Sequence, residues 1–215
     1  MALAPTSSQS VTIPGPAGTL EALLDIPTSA TSPSAVGVIC HPHPLHGGTM
    51  TNKVVHTLSK ALNDAGAPTV RFNYRGVGAS VGTYDDGNGE TQDAVAVLNW
   101  AAQRWPDAPL WLGGFSFGGA VAIRASVASG APKIARLVTV APAIRKVSVD
   151  TNTLPRCPWL IVQGDRDELV DPADIQQWAR ELSVQPSVSM LSGVEHFFHG
   201  RLNDLRQVVV GWLTE

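Results

Sequence analysis

The chain has 215 residues, 44% of them hydrophobic, enough for one sizeable core. A formal net charge of −3 leaves no basic footprint for nucleic acid. Two cysteines, Cys40 and Cys157, make no disulfide framework and suit a reducing compartment.

The opening "MALAPTSSQS" lacks the basic and apolar regions of a secretory signal. No apolar run approaches the ~20 residues of a membrane span, so a cytoplasmic protein without a membrane partner is expected. Residues 1–9 are small and polar and read as a flexible tail, with residues 10–215 as one domain. "SVTIPGPAGTLEALLDIP" reads as a hairpin around a Gly/Pro turn, and "SPSAVGVICHP" as a buried strand stopped by Pro42. Apolar positions Val54, Val55, Leu58, Ala61, Leu62 and Ala65 predict a helix over 51–65, ended by Gly66.

The alternation then repeats. "PTVRFNYRG" is a strand, and 90–105 a helix stopped by Pro106. "APLWLGG" is a strand, 117–129 a helix, and "KIARLVTVAP" a strand. "CPWLIVQGD" precedes a helix over 172–183 that opens on Asp171-Pro172, an N-cap with proline at the first helical position. "SVSMLSG" and a helix over 200–213 close the chain. Short apolar strands alternating with helices predict an α/β three-layer sandwich, a mainly parallel sheet with helices on both faces. Ligands of such sheets bind beyond the carboxyl ends of the strands.

"GGFSFGGA" lies at such an end, between a predicted strand and a predicted helix. A phosphate cradle would need a lysine after Gly118, where Gly119, Ala120 and Val121 stand instead. A tight turn with a capping serine is the plain alternative. Gly114-Phe115-Ser116-Phe117-Gly118 fits the nucleophile elbow, in which a strained serine stands clear of the sheet and flanking side chains would clash.

A serine hydroxyl needs a base, and the base an orienting acid. "WLIVQGDRDELVDP" offers Asp165, Asp167 and Asp171. Asp171 suits the helix N-cap and Asp165 the turn, so Asp167 is favoured as the acid, with Asp165 as the alternative. "MLSGVEHFFHG" offers His196, nearer the strand end, as the base, while His199 suits a capping or surface position. A histidine base predicts a rate that rises with pH as the imidazole loses its proton and then levels off. An oxyanion hole would take the N–H of Phe117 and a second from "HPHPLHGGTM". Pro42 and Pro44 cannot donate. His43, two residues past the strand end, is preferred to Leu45.

His41, His43 and His46 raise a zinc reading. No acidic residue lies between Asp25 and Asp64, and alternating His-Pro cannot form a helix that aims two imidazoles at one ion, so no metal and no cofactor are expected. Gly76 and Gly78 lack the third small residue of a dinucleotide fingerprint, position 81 being valine, and read as turn chemistry that could rim the site.

Taken together, the order Ser116, Asp167, His196 resembles the α/β-hydrolase superfamily over nearly the whole chain, and "RGVGAS" after a strand is similar to a common feature of it. More narrowly, "CHPHPLHGGTMTNKVV", "GFSFGG", "QGDRDELVDP" and "HFFHG" look like small lidless dienelactone-hydrolase-like esterases, whose namesake uses a cysteine where this chain has Ser116. The resemblance implies an eight-stranded sheet opening on the hairpin. Serine hydrolysis of a small-molecule carboxylic ester through an acyl-enzyme is expected. Peptidase, thioesterase or acyltransferase chemistry on the same residues, or a silent binding protein, are the alternatives. Between "KIARLVTVAP" and Cys157, Ala143 to Arg156 is too short and too polar for a helical cap. This predicts an open site walled by loops carrying His43, Tyr84 and Phe197, and short acyl substrates.

Overall fold

A computed structural model describes residues 6–28 and 33–215. Eight strands form one sheet: β1 (Thr6–Gly15), β2 (Gly18–Pro27), β3 (Val36–Cys40), β4 (Thr69–Phe72), β5 (Leu110–Phe115), β6 (Ile134–Val140), β7 (Trp159–Gly164) and β8 (Ser187–Leu191). Their order is β1-β2-β4-β3-β5-β6-β7-β8. The β1–β2 and β2–β4 pairings are antiparallel and all the others parallel. Five helices connect them: α1 (Lys53–Asp64), α2 (Asn88–Arg104), α3 (Phe117–Val127), α4 (Pro172–Glu181) and α5 (Leu202–Leu213). Val54, Leu58 and Leu62 of α1 and Leu205 and Val209 of α5 share one apolar cluster, while α2, α3 and Ile175 of α4 share the other. The sheet is thus covered on both faces, an α/β three-layer sandwich, and among the described residues no further helix or strand forms a cap over it.

The expected flexible tail over residues 1–9 gives way at Thr6, where β1 begins; residues 1–5 lie outside the described set. Ser7 to Ser10 are exposed and carry no apolar alternation. Their backbone nevertheless pairs with Leu23 to Ile26 of β2, because an edge strand needs ladder hydrogen bonds and only one covered face. The helices fall within two residues of expectation. Asn52 caps α1 by accepting from the Val54 and Val55 N–H groups, and Asp171 caps α4 by accepting from Ala173. α2 starts at Asn88 rather than 90 because the buried Glu90 carboxylate reaches back to the N–H groups of Asp85 and Gly87.

Buried polar groups tie β2 to β4. Arg71 and Asp25 form a two-pronged pair at 2.7 and 3.1 Å, with side chains 5% and 4% exposed. Arg71 also donates to the Met50 carbonyl at 2.9 Å, anchoring the approach to α1. Removing one partner strands the other charge in a dry interior. Asp25→Asn is therefore expected to lower unfolding free energy by about 3–5 kcal/mol, read from urea titrations with an unchanged slope. Among the described residues no helix is long and apolar enough to cross a membrane.

Candidate active site

β5 delivers Ser116. All six of its residues are buried, and the chain enters α3 at the next residue. Ser116 has φ +55° and ψ −119°, a conformation that a side-chain-bearing residue adopts only under constraint. Gly114 and Gly118 permit it. A Cβ on Gly114 would lie 2.1 Å from the Gly118 carbonyl oxygen, the crowding expected within the turn. A Cβ on Gly118 would instead lie 2.4 Å from the carbonyl oxygens of Cys40 and His41, so the second glycine is demanded by the end of β3.

The fold brings Ser116, Asp167 and His196 into one hydrogen-bonded line. Ser116 Oγ lies 3.1 Å from His196 Nε2, and His196 Nδ1 lies 2.8 Å from Asp167 Oδ2. Asp167 is buried just beyond β7. Its Oδ1 accepts the N–H groups of Leu169 and Val170 at 2.9 and 2.8 Å, and its Oδ2 also accepts Gln163 Nε2 at 2.9 Å. Burial works against the ionised carboxylate. The hydrogen bonds from His196, Val170 and Leu169 outweigh it, and the carboxyl sits below its usual range. An ionised Asp167 only accepts, so Nδ1 of His196 carries the proton and Nε2 faces the serine hydroxyl as an acceptor. The imidazole is fixed between Phe115 and Phe197, with ring centroids 4.9 and 5.0 Å away.

The runners-up have other partners. Asp165 Oδ1 accepts the Gly193 N–H at 2.6 Å, pinning the β8 turn against β7. Asp171 is the α4 cap. His199 is exposed, 3.7 Å from Glu195. Cys40, the buried cysteine near this end of the sheet, has its thiol pushed up to about 12 by burial and is no thiolate nucleophile.

Phe117 and His43 both line the cavity that contains Ser116 and His196. Phe117 opens α3, where a backbone N–H has no intrahelical acceptor, and the His43 N–H makes no hydrogen bond among the described residues. The loop that presents His43 is closed on itself by the His46 and Gly48 N–H groups, both donating to the His43 carbonyl. Gly48 has no room for a side chain, since a Cβ would lie 2.0 Å from the Pro42 oxygen. Leu45, the alternative donor, gives its N–H to His43 Nδ1 instead. Tyr84 is not part of the cavity wall, contrary to the expected lining; its hydroxyl supports His43 Nε2 at 3.3 Å from behind. Phe197 does line the cavity.

His41 cannot join a metal site. Its Nδ1 lies 2.7 Å from the Pro42 carbonyl and its Nε2 accepts the Tyr74 N–H at 3.2 Å, so both ring nitrogens are engaged. Burial lowers its pKa to about 3, so the folded protein holds it neutral. An unfolded imidazole titrates near ~6.5, so the unfolded chain binds the extra proton over the interval between these values. Stability from this group is full above ~6.5 and is lost as pH falls from there toward about 3. The wild type is expected to lose unfolding free energy between pH ~7 and ~5, and His41→Asn to show a flatter dependence in paired urea titrations.

The cavity has a volume of about 90 Å³. No aspartate or glutamate lines it among the described residues, whereas Lys146, His43 and His46 do. His43 is held below its ordinary range by partial burial and by neighbouring His46 and Lys146, against a weaker opposite pull from Asp86. Three site residues escape a reading of the sequence: Gln163, fully buried in β7; Glu168, whose carboxylate accepts the His196 N–H at 3.2 Å; and His41 as the loop anchor. A glutamine inside an otherwise apolar strand is the one signal that could have exposed Gln163.

The family model described as serine aminopeptidase, S33, matches residues 43–156. An α/β serine hydrolase homologue from Coxiella burnetii superposes with a TM-score of 0.88 at 44% identity, covering 95% of this chain and 97% of that one. A lidless α/β serine hydrolase from Xanthomonas campestris superposes with a TM-score of 0.87 at 38% identity, covering 97% and 94%. The uncharacterized protein RP471 of Rickettsia prowazekii (strain Madrid E) is 35% identical over 209 residues, 93% of this chain and 86% of that protein.

Proposed function

The chain belongs to the α/β-hydrolase superfamily of serine hydrolases, in the family described as serine aminopeptidase, S33, and from that premise we propose that it is a serine carboxylesterase. The observation that carries the reading is the continuous Ser116–His196–Asp167 hydrogen-bond line opening into a cavity. Ser116 Oγ attacks the ester carbonyl while Nε2 of His196 takes its proton. Asp167 stabilises the imidazolium that forms. The tetrahedral oxyanion is received by the N–H groups of Phe117 and His43, and loss of one such donor typically costs about 10²–10³ in turnover. His196 then returns the proton to the leaving alcohol, and water repeats the sequence on the acyl-enzyme.

The family description raises aminopeptidase as a second reading. An aminopeptidase must hold a free ammonium group beside the scissile bond, which calls for a carboxylate in the wall. The cavity carries Lys146 and two histidines instead, which favours an uncharged ester. Labelling with a fluorophosphonate probe tests the hydrolase assignment. Labelling of the native protein that disappears in Ser116→Ala is expected, and an unlabelled native protein overturns it.

Residues 141–158, between β6 and β7, contain no helix or strand to serve as a lid. With about 90 Å³ beside Ser116, short acyl groups are expected to be preferred on a nitrophenyl ester series, with no rate jump at the micelle threshold of a poorly soluble ester. A maximum at long chains with such a jump would contradict the open site.

A further inference from the structure

A second cavity, of about 250 Å³, adjoins the one around Ser116 and shares Ala143, Lys146, Leu169 and Val170 with it. It lies between the loop after β6 and the first turn of α4. Ile175, fully buried, belongs to its wall, with Ile144 and the half-exposed Leu169. The charges around it are mostly committed elsewhere. Arg145 pairs with Asp174, joining the loop to the helix across the cavity, and the Asp171 carboxylate caps α4. Lys146 sits exposed at the boundary between the two cavities. The wall therefore offers apolar surface without a free carboxylate for a cation, and it suits an uncharged apolar group.

Size narrows the class. An apolar cavity of about 150 Å³ takes up benzene, so this one has room for a six-membered ring with a short linker. The space beside Ser116 and the two oxyanion donors is the smaller of the two. We infer that the second cavity is a subsite for a ring-sized apolar alcohol, so that the preferred substrates are esters of a small acid with an alcohol such as benzyl alcohol, the acyl group occupying the cavity of Ser116. This rests on the esterase reading above.

Benzyl acetate and methyl phenylacetate are isomers that differ in which side of the ester carries the ring, and ethyl acetate serves as the small reference. The kcat/KM for benzyl acetate is expected to exceed that for methyl phenylacetate by at least about tenfold, the discrimination a filled apolar pocket typically provides. Ile144→Trp, which narrows only the second cavity, is expected to cut the benzyl acetate to ethyl acetate ratio by about tenfold. Benzyl alcohol as a competitive inhibitor of ethyl acetate hydrolysis by the wild type reads the same subsite without a mutation. Ethyl acetate turnover with equal rates on the two isomers, or preference for methyl phenylacetate, overturns the subsite and leaves the esterase standing. Absence of turnover on all three esters, together with absence of fluorophosphonate labelling, overturns both.

Discussion

Ser116→Ala is expected to lower kcat on a nitrophenyl ester by about 10⁵–10⁶-fold, with KM changed far less. Alanine leaves nothing to form the acyl-enzyme, and what remains is the weak catalysis of the two N–H donors and of binding. His196→Ala is expected to fall to a similar level, and the double variant little further, because base and nucleophile act as one unit. Stability should move little, since the residue at 116 keeps its φ of +55° and loses only the 3.1 Å contact to His196. Steady-state rates beside a thermal melt separate the two effects. Substantial residual turnover in a well-folded Ser116→Ala would place the nucleophile elsewhere.

Asp167→Asn is expected to lower kcat by about 10⁴-fold. The surroundings decide how the new amide sits. The Leu169 and Val170 N–H groups claim the oxygen at the Oδ1 position, which leaves the NH2 facing His196 Nδ1. Nδ1 must then accept, the ring proton moves to Nε2, and the serine loses its base. The same NH2 would face Gln163 Nε2, and a flip of that amide would turn its buried, partnerless Oε1 toward it. The variant therefore folds, in the wrong tautomer. Asp165→Asn is the control: the one described bond of its carboxylate is from the Gly193 N–H, which an amide oxygen also accepts, so a change of about twofold or less is expected. Reversal of this ranking would move the acid to Asp165.

Much of this site was legible because its requirements are local. A serine held at φ +55° between a buried strand and a helix needs small residues at 114 and 118, and the sequence shows them. The α4 cap at Asp171-Pro172 removed one candidate acid, and a loop of alternating proline left few N–H groups to donate. Even so, the reason for Gly118 lies outside its own turn, in the carbonyls of β3.

The amino-acid sequence by itself determined the alternation of strands and helices, the serine turn and the places of Ser116, Asp167 and His196 just beyond strand ends, because periodicity, caps and φ-restricted positions are written within a few neighbouring residues. Only the tertiary structure decided the rest. It inserted β4 between β2 and β3, paired the polar residues 6–9 onto the sheet edge, buried Gln163 under Asp167, locked His41 to Tyr74 and opened the second cavity between residues 143–146 and 169–175. Each of these depends on groups that are distant in sequence and meet only when the sheet is assembled, where hydrogen-bond satisfaction and close packing, rather than local propensity, select the partners.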